Sequence, residues 1–284
     1  MPEPLLAVDA PSVLFRAFYA LPGTIRGAEG QPVNALLGGV NIVLREVLEH
    51  RPRGVVMCFG DDAATYRVEL FDGYHADRGP VPDELGPQIE AAPALYRALG
   101  WRVHDERGLE ADDLLNSYAL SEQRAGGRAL ILTGDRDMYQ CAGESCTILY
   151  LRTGGRGAEL VDAAEVERRY GIPPALVPDF IALRGDPSDG IPGAPGVGDK
   201  TAADLLRRHG SLENAIAAAL RERPRLRGAL RDNADQLRAF KEIATLRRPP
   251  VRRPRDRATD FRGGARAARQ LGMNRLAERL EALR

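Results

Sequence analysis

Five short apolar runs alternate with helical patterns through the first half of the chain, which restricts it to an α/β fold on a mostly parallel sheet. The runs are residues 5–8, 54–59, 101–104, 129–132 and 147–151. Helices are expected at 13–20, 35–49, 87–99 (with Pro87 at the first position) and 110–124. In such sheets ligands bind beyond the carboxyl ends of the strands. Asp9, Asp61 with Asp62, and Asp135 follow strands directly and should converge there.

Residues 61–86 carry Gly73, Gly79, Pro80 and Pro82 and show no clean period. A long irregular segment in a compact domain is usually functional or mobile. After residue 160 the strand signals stop. Asp162 caps a helix to 170, Pro174 opens another to 183, and helices follow at 199–208, 211–221 and 233–246. RRPPVRRPRDR (247–257) reads as a connector, and 264–283 as one amphipathic helix. The expected division is an α/β half, 1–160, and a helical half, 161–284.

The carboxylates are grouped. Asp9 ends LLAVD; Glu110, Asp112 and Asp113 lie in LEADD; Asp135 and Asp137 in TGDRD; Asp186 and Asp189 in RGDPSDG. Each group has an ordinary explanation. Acids in a first helical turn complement the dipole, and Asp135 could cap the next short helix. Together they suggest one acidic pocket. Gathered like charges raise one another's pKa unless a cation lies among them. An all-oxygen donor set suits Mg²⁺ or Mn²⁺ rather than zinc.

The chain has 284 residues and a net charge of +0, so any basic surface is local. Lysine occurs only at Lys200 and Lys241. Cys58, Cys141 and Cys146 lack metal-ligand spacing and read as free thiols. The scattered histidines give no zinc site. No signal peptide or membrane-length apolar stretch is apparent, so a cytoplasmic location is expected. GAPGVGDKTAADLL (193–206) places Gly-x-Gly before a helix, with Asp199 as candidate N-cap and Lys200 in the first turn. Asp199 separates Gly198 from Lys200 and no strand precedes, unlike a nucleotide phosphate loop. Amides at that helix start could face a DNA phosphate, or the glycines could simply serve close packing.

In order, these motifs resemble the bacterial 5′–3′ exonuclease and flap endonuclease family over nearly the whole chain. VDAPSVLFRAFYAL (8–21) is similar to its opening strand and helix, with Asp9 and Arg16 in place. YHADR (74–78) resembles its arch motif, and LEADD, TGDRD and RGDPSDGIPG its later acidic motifs. GVGDKTA resembles its helix–hairpin–helix. The resemblance implies a PIN-like or resolvase-like core with a helical DNA-gripping region. It also implies two divalent ions, Mg²⁺ or Mn²⁺, about 3.5–4 Å apart, and K⁺ at the hairpin. Asp9, Glu110 and Asp112 would hold one ion, and Asp135, Asp137 and Asp189 the other. Asp113 and Asp186 would lie just behind. Arg16, Arg67, His75 and Arg78 would meet phosphates near the cut. Gly196, Gly198, Lys200 and Thr201 would anchor the duplex. The implied partner is DNA with a 5′ flap, nick or recessed end, bound by a monomer.

Three positions depart from the family pattern. Gly60 stands where an acid usually follows the second strand, leaving Asp61 or Asp62 as substitute ligand. His75 replaces the arch lysine, and Gly190 the usual asparagine. A DNA-structure-binding protein with impaired nuclease activity is the alternative these changes raise. A nucleotide-binding α/β domain with a helical lid is a second.

Overall fold

The structure is a computed structural model that describes residues 3–152 and 157–283. Six strands form one sheet: β1 (Leu5–Asp9), β2 (Gly54–Gly60), β3 (Arg102–Glu106), β4 (Ala129–Thr133), β5 (Cys146–Leu151) and β6 (Ala158–Val161). Their order is β3-β2-β1-β4-β5-β6, with all neighbours parallel except β5 and β6. The five expected strands are present, and β6 is additional.

The chain builds outward from β1 to β2 and β3, then returns to the other side of β1 with β4. That reversal opens a crevice beyond the carboxyl ends of β1 and β4, where open α/β sheets take their ligands. Asp9 ends β1, and Thr133 ends β4 with Asp135 two residues on.

Strand residues alternate between two cores, as the pleat requires. Leu6, Val8, Met57 and Leu132 face α1 (Ala10–Ala20), α2 (Asn34–His50) and, past the short α3 (Thr65–Leu70), α4 (Gly86–Ala98). Leu5, Ala7, Cys58 and Ile131 face α5 (Ala111–Arg124). On that side the core continues into α6 (Ala163–Tyr170), α7 (Val177–Arg184), α8 (Asp199–His209), α9 (Leu212–Ala217), α10 (Pro224–Arg231) and α11 (Ala234–Ala244). Lys241 ties α11 to α7 through buried Asp179 at 2.8 Å.

Two expectations change at the C-terminus. The helix foreseen over 264–283 is two, α12 (Phe261–Gln270) and α13 (Asn274–Ala282). Gly272 breaks it at φ +80, where a Cβ would meet the Ala28 amide nitrogen at 2.2 Å. Both helices pack on the first core through Ala268, Leu276 and Leu280. Residues 247–257 are not a free linker. Arg257 donates its amide to Arg53 O at 2.8 Å, and the buried Arg53 guanidinium binds Pro254 O at 2.9 Å and the fully buried Glu122.

Candidate active site

The crevice gathers all four acidic groups. Asp9 caps α1 by accepting Ser12 N–H at 3.0 Å, and its other oxygen accepts Thr133 Oγ1–H at 2.7 Å. The Thr133 hydroxyl also accepts the Asp135 N–H at 3.0 Å, so one threonine links the ends of β1 and β4. Asp135 in turn accepts the Asp137 N–H at 2.9 Å, which presents both carboxylates from one turn. Asp186 accepts Ser188 N–H at 2.8 Å and closes the loop that carries Asp189.

Glu110 is the N-cap of α5 and forms a capping box with Asp113. The first-turn acids therefore serve the helix as well as the crevice. Asp113 has no exposed surface and accepts from the Arg247 N–H at 2.7 Å, so it stands behind the others. Asp112 accepts the Asp113 N–H at 2.6 Å.

Charge accumulates here. Burial, reinforced by Asp112, pushes the Glu110 carboxyl up to about 7. Burial pushes Asp9 and Asp113 up to about 6. Burial and then Asp189 push Asp135 up to about 8. Burial and then Asp135 drive Asp137 upward as well. Hydrogen bonds to Thr133 and Ser12 offset part of the rise at Asp9. Carboxylates held this way are poorly satisfied by the protein alone, and an oxygen-seeking divalent ion fits them.

The cationic residues divide. Arg67 is 3% exposed and contacts Glu110 at 2.8 Å, Asp112 at 2.8 Å and Asp113 at 3.5 Å. Here its guanidinium is a counter-charge within the acids. Tyr74 supports it, with its hydroxyl 3.1 Å from both Arg67 and Glu110. Arg16 donates to Gly134 O at 3.3 Å and keeps a buried Nε without a partner. Arg78 is exposed and lies 3.2 Å from Asp62 and 3.6 Å from Asp189. His75 is buried, with its ring nitrogens 2.9 Å from Asp62 O and 3.1 Å from Asp189.

The departures at 60 and 190 have steric causes. A Cβ on Gly60 would meet Leu109 O at 2.5 Å and the Glu110 carbonyl carbon at 2.8 Å. No side chain fits there without moving Glu110. Asp61 is exposed and accepts Gly108 N–H at 2.7 Å, which pins the loop before α5. Gly190 has φ +74, and a Cβ there would meet Gly73 O at 2.4 Å. His75 N–H bonds Asp189 O at 3.0 Å across the same contact. Gly190 thus lets the 189–190 turn pack against the backbone of residues 73–75. Gly60→Asp, which restores the family's acid, should destabilise the protein by about 1–3 kcal/mol by overpacking. Denaturant unfolding measures this, and an unchanged midpoint would show that the strand end can yield.

Gly196 and Gly198 lie in the turn between α7 and α8, and Lys200 and Thr201 in the first turn of α8. Gly198, not Asp199, is the N-cap, because Asp199 opens the helix and points toward Arg184 at 3.9 Å. Gly196 has φ +73 and lies against the Arg225 guanidinium. Thr133, Ser12 and Arg247 were given no site role from the sequence, and Tyr74 entered only as the first residue of the arch motif. Thr133 alone gave a signal, as a polar residue ending an apolar strand.

Among the described residues, a trio whose ligand atoms all lie within 4.8 Å of one another occurs elsewhere, at Glu46, Glu49 and His50 of α2. No three of the crevice carboxylates among the described residues come that close.

Two family models match the chain. The model for the 5′–3′ exonuclease N-terminal resolvase-like domain matches residues 4–171, and that for the 5′–3′ exonuclease C-terminal SAM fold matches 172–255. A 5′–3′ exonuclease of Mycobacterium tuberculosis is 38% identical over 77% of this chain and 74% of its own length. One of Streptomyces coelicolor is 40% identical over 75% of this chain and 74% of its own. DNA polymerase I of Mycobacterium bovis is 36% identical over 85% of this chain, which spans only 27% of that longer protein. In fold, T5 D15 protein co-crystallised with metal ions superposes with a TM-score of 0.74 at 14% identity, covering 98% of each chain. The catalytic core of Rad2 in complex with DNA substrate gives 0.64 at 15% identity, covering 99% of this chain and 91% of its own. This chain belongs to the 5′–3′ exonuclease family.

Proposed function

We propose that this chain is a structure-specific 5′ nuclease that hydrolyses DNA phosphodiesters with the help of two divalent cations, Mg²⁺ or Mn²⁺. One observation carries the reading: carboxylates from four separate segments meet at the β1/β4 crevice, with burial and mutual repulsion driving several upward. Asp9, Glu110 and Asp112 would hold one ion and Asp135, Asp137 and Asp189 the other. Bound there, such ions supply an activated water and stabilise the leaving oxygen. The protein's own side chains set the stage. Thr133 and Ser12 fix Asp9, Arg67 fixes Glu110 and Asp112, and His75 fixes Asp189. Arg16 and Arg78 would orient a phosphate, for which a guanidinium fork is suited. The α7–α8 turn, with K⁺ as a further candidate ligand, would grip the duplex by its backbone without reading sequence. The α/β half thus supplies most of the acids, the helical half adds Asp189, and the α7–α8 turn would do the gripping. The protein would act as a monomer on a flap, nick or recessed end. Among the described residues no helix is long and apolar enough to cross a membrane, and three free cysteines suit a reducing cytoplasm.

Purified protein with Mn²⁺ should cut a 5′-labelled flap or nicked duplex, and EDTA should stop it. An uncut substrate would leave the DNA-structure-binding alternative standing.

A pH dependence follows as well. These acids have folded pKa values above their unfolded ones, so the folded state binds more protons between about pH 4 and pH 8. The stability of the metal-free protein is therefore greatest on the acid side and falls as pH rises through 6 to 8. Divalent ions should reverse this, raising Tm more at pH 8 than at pH 6. Thermal scans at both values, with and without Mg²⁺, test it; equal shifts would count against metal binding by these groups.

A further inference from the structure

The connector 247–257 runs from one end of the sheet to the other. Arg247 N–H bonds Asp113 beside the acids, and Arg257 N–H bonds Arg53 O just before β2 begins. At the far end it forms one wall of a cavity of about 920 Å³, with the starts of β2 and β3 and the end of α4 as the others. Six arginines line it: Arg97, Arg102, Arg252, Arg253, Arg255 and Arg257. The lining has one carboxylate, Asp256, and that is held by Arg53 at 2.6 Å. Arg253 is paired with Glu122 at 3.0 Å. Arg97, Arg252, Arg255 and Arg257 make no ion pair with the described residues.

This is a concentration of unpaired positive charge in a chain whose net charge is +0. It is held in place. Pro249, Pro250 and Pro254 stiffen the connector, and buried Arg53 and Glu122, with Arg253 paired to Glu122 from the surface, fasten it to the sheet. Guanidinium forks match phosphate oxygens in charge and bidentate geometry. A cavity of this volume takes a small ligand or a few nucleotides, not a duplex. Arg247, Arg248 and Arg252 continue the charge back along the connector toward the acids. That continuity favours a strand leading from the crevice over an acidic peptide.

We propose that the connector and this cavity form a second nucleic-acid site, which binds the phosphates of a single-stranded arm away from the catalytic edge. The choice of nucleic acid as ligand rests on the nuclease reading.

The test compares Arg97→Ala/Arg252→Ala/Arg255→Ala with the matching triple lysine variant. All three positions are exposed, and none belongs to the catalytic site. Binding is read in EDTA by fluorescence anisotropy across a salt series, on one substrate with a long single-stranded arm and one with a short arm. The alanine variant should bind the long-armed substrate about tenfold more weakly at moderate salt. Its log–log salt slope should be shallower by about 2, because each lost single-strand phosphate contact removes about 0.7. Binding and Mn²⁺-dependent cutting of the short-armed substrate should not change, and the lysine variant should keep the wild-type slope. Equal slopes for alanine variant and wild type would overturn the proposal. So would equal losses on both substrates, or a loss confined to a polyglutamate peptide. Failure of the nuclease reading would appear separately, as wild-type protein that does not cut.

Discussion

Asp135→Asn should lower cleavage of a 5′ flap by about a thousandfold or more, equivalent to about 4 kcal/mol of transition-state stabilisation, while leaving DNA affinity in EDTA unchanged. Asparagine keeps the shape of the side chain and an oxygen to accept the Asp137 N–H, so the turn after β4 should survive. It removes the charge, and the charge is the costly part. Asp189 and the other acids raise Asp135 to about 8 after burial has done so first. The same substitution should therefore stabilise the metal-free protein at pH 8. Loss of cutting with gain of stability is a pairing that damage to the fold would not produce. Unchanged cutting would remove Asp135 from the metal site.

Arg67→Met should destabilise the metal-free protein by about 3–5 kcal/mol, the usual consequence of stripping one partner from a buried ionic cluster. Arg67 is the counter-charge for Glu110, Asp112 and Asp113, and methionine fills much of its volume without replacing that charge. Divalent cations should recover part of the loss, because they bring positive charge to the same acids. Urea unfolding with EDTA and with Mn²⁺ separates the two states. A loss identical in both would mean that Arg67 and the metals do not share ligands.

Much of the sheet and the acid set was legible because two signals coincided. Leu5–Asp9 and Ala129–Thr133 are fully buried apolar strands, and an acid ends or follows each. The resemblance then ordered the acids along the chain. Other features were hidden for physical reasons. β6 is four residues long, carries Glu159 and is mostly not buried, so it lacks an apolar run. α3 is a six-residue helix anchored by Arg67, and an arginine in an irregular stretch reads as exposed by default. The helical period continues through Gly272, so the break there depends on the approach of Ala28. The constraints on Gly60 and Gly190 come from backbone atoms distant in sequence, which a motif comparison shows only as missing side chains.

The central claim is that carboxylates from four segments form one two-ion site, and a crystal soaked in Mn²⁺ tests it most directly through anomalous scattering. Two peaks are expected in the β1/β4 crevice, one within bonding distance of Asp9, Glu110 or Asp112 and one near Asp135, Asp137 or Asp189. An empty crevice, or manganese bound only at Glu46, Glu49 and His50, would contradict it.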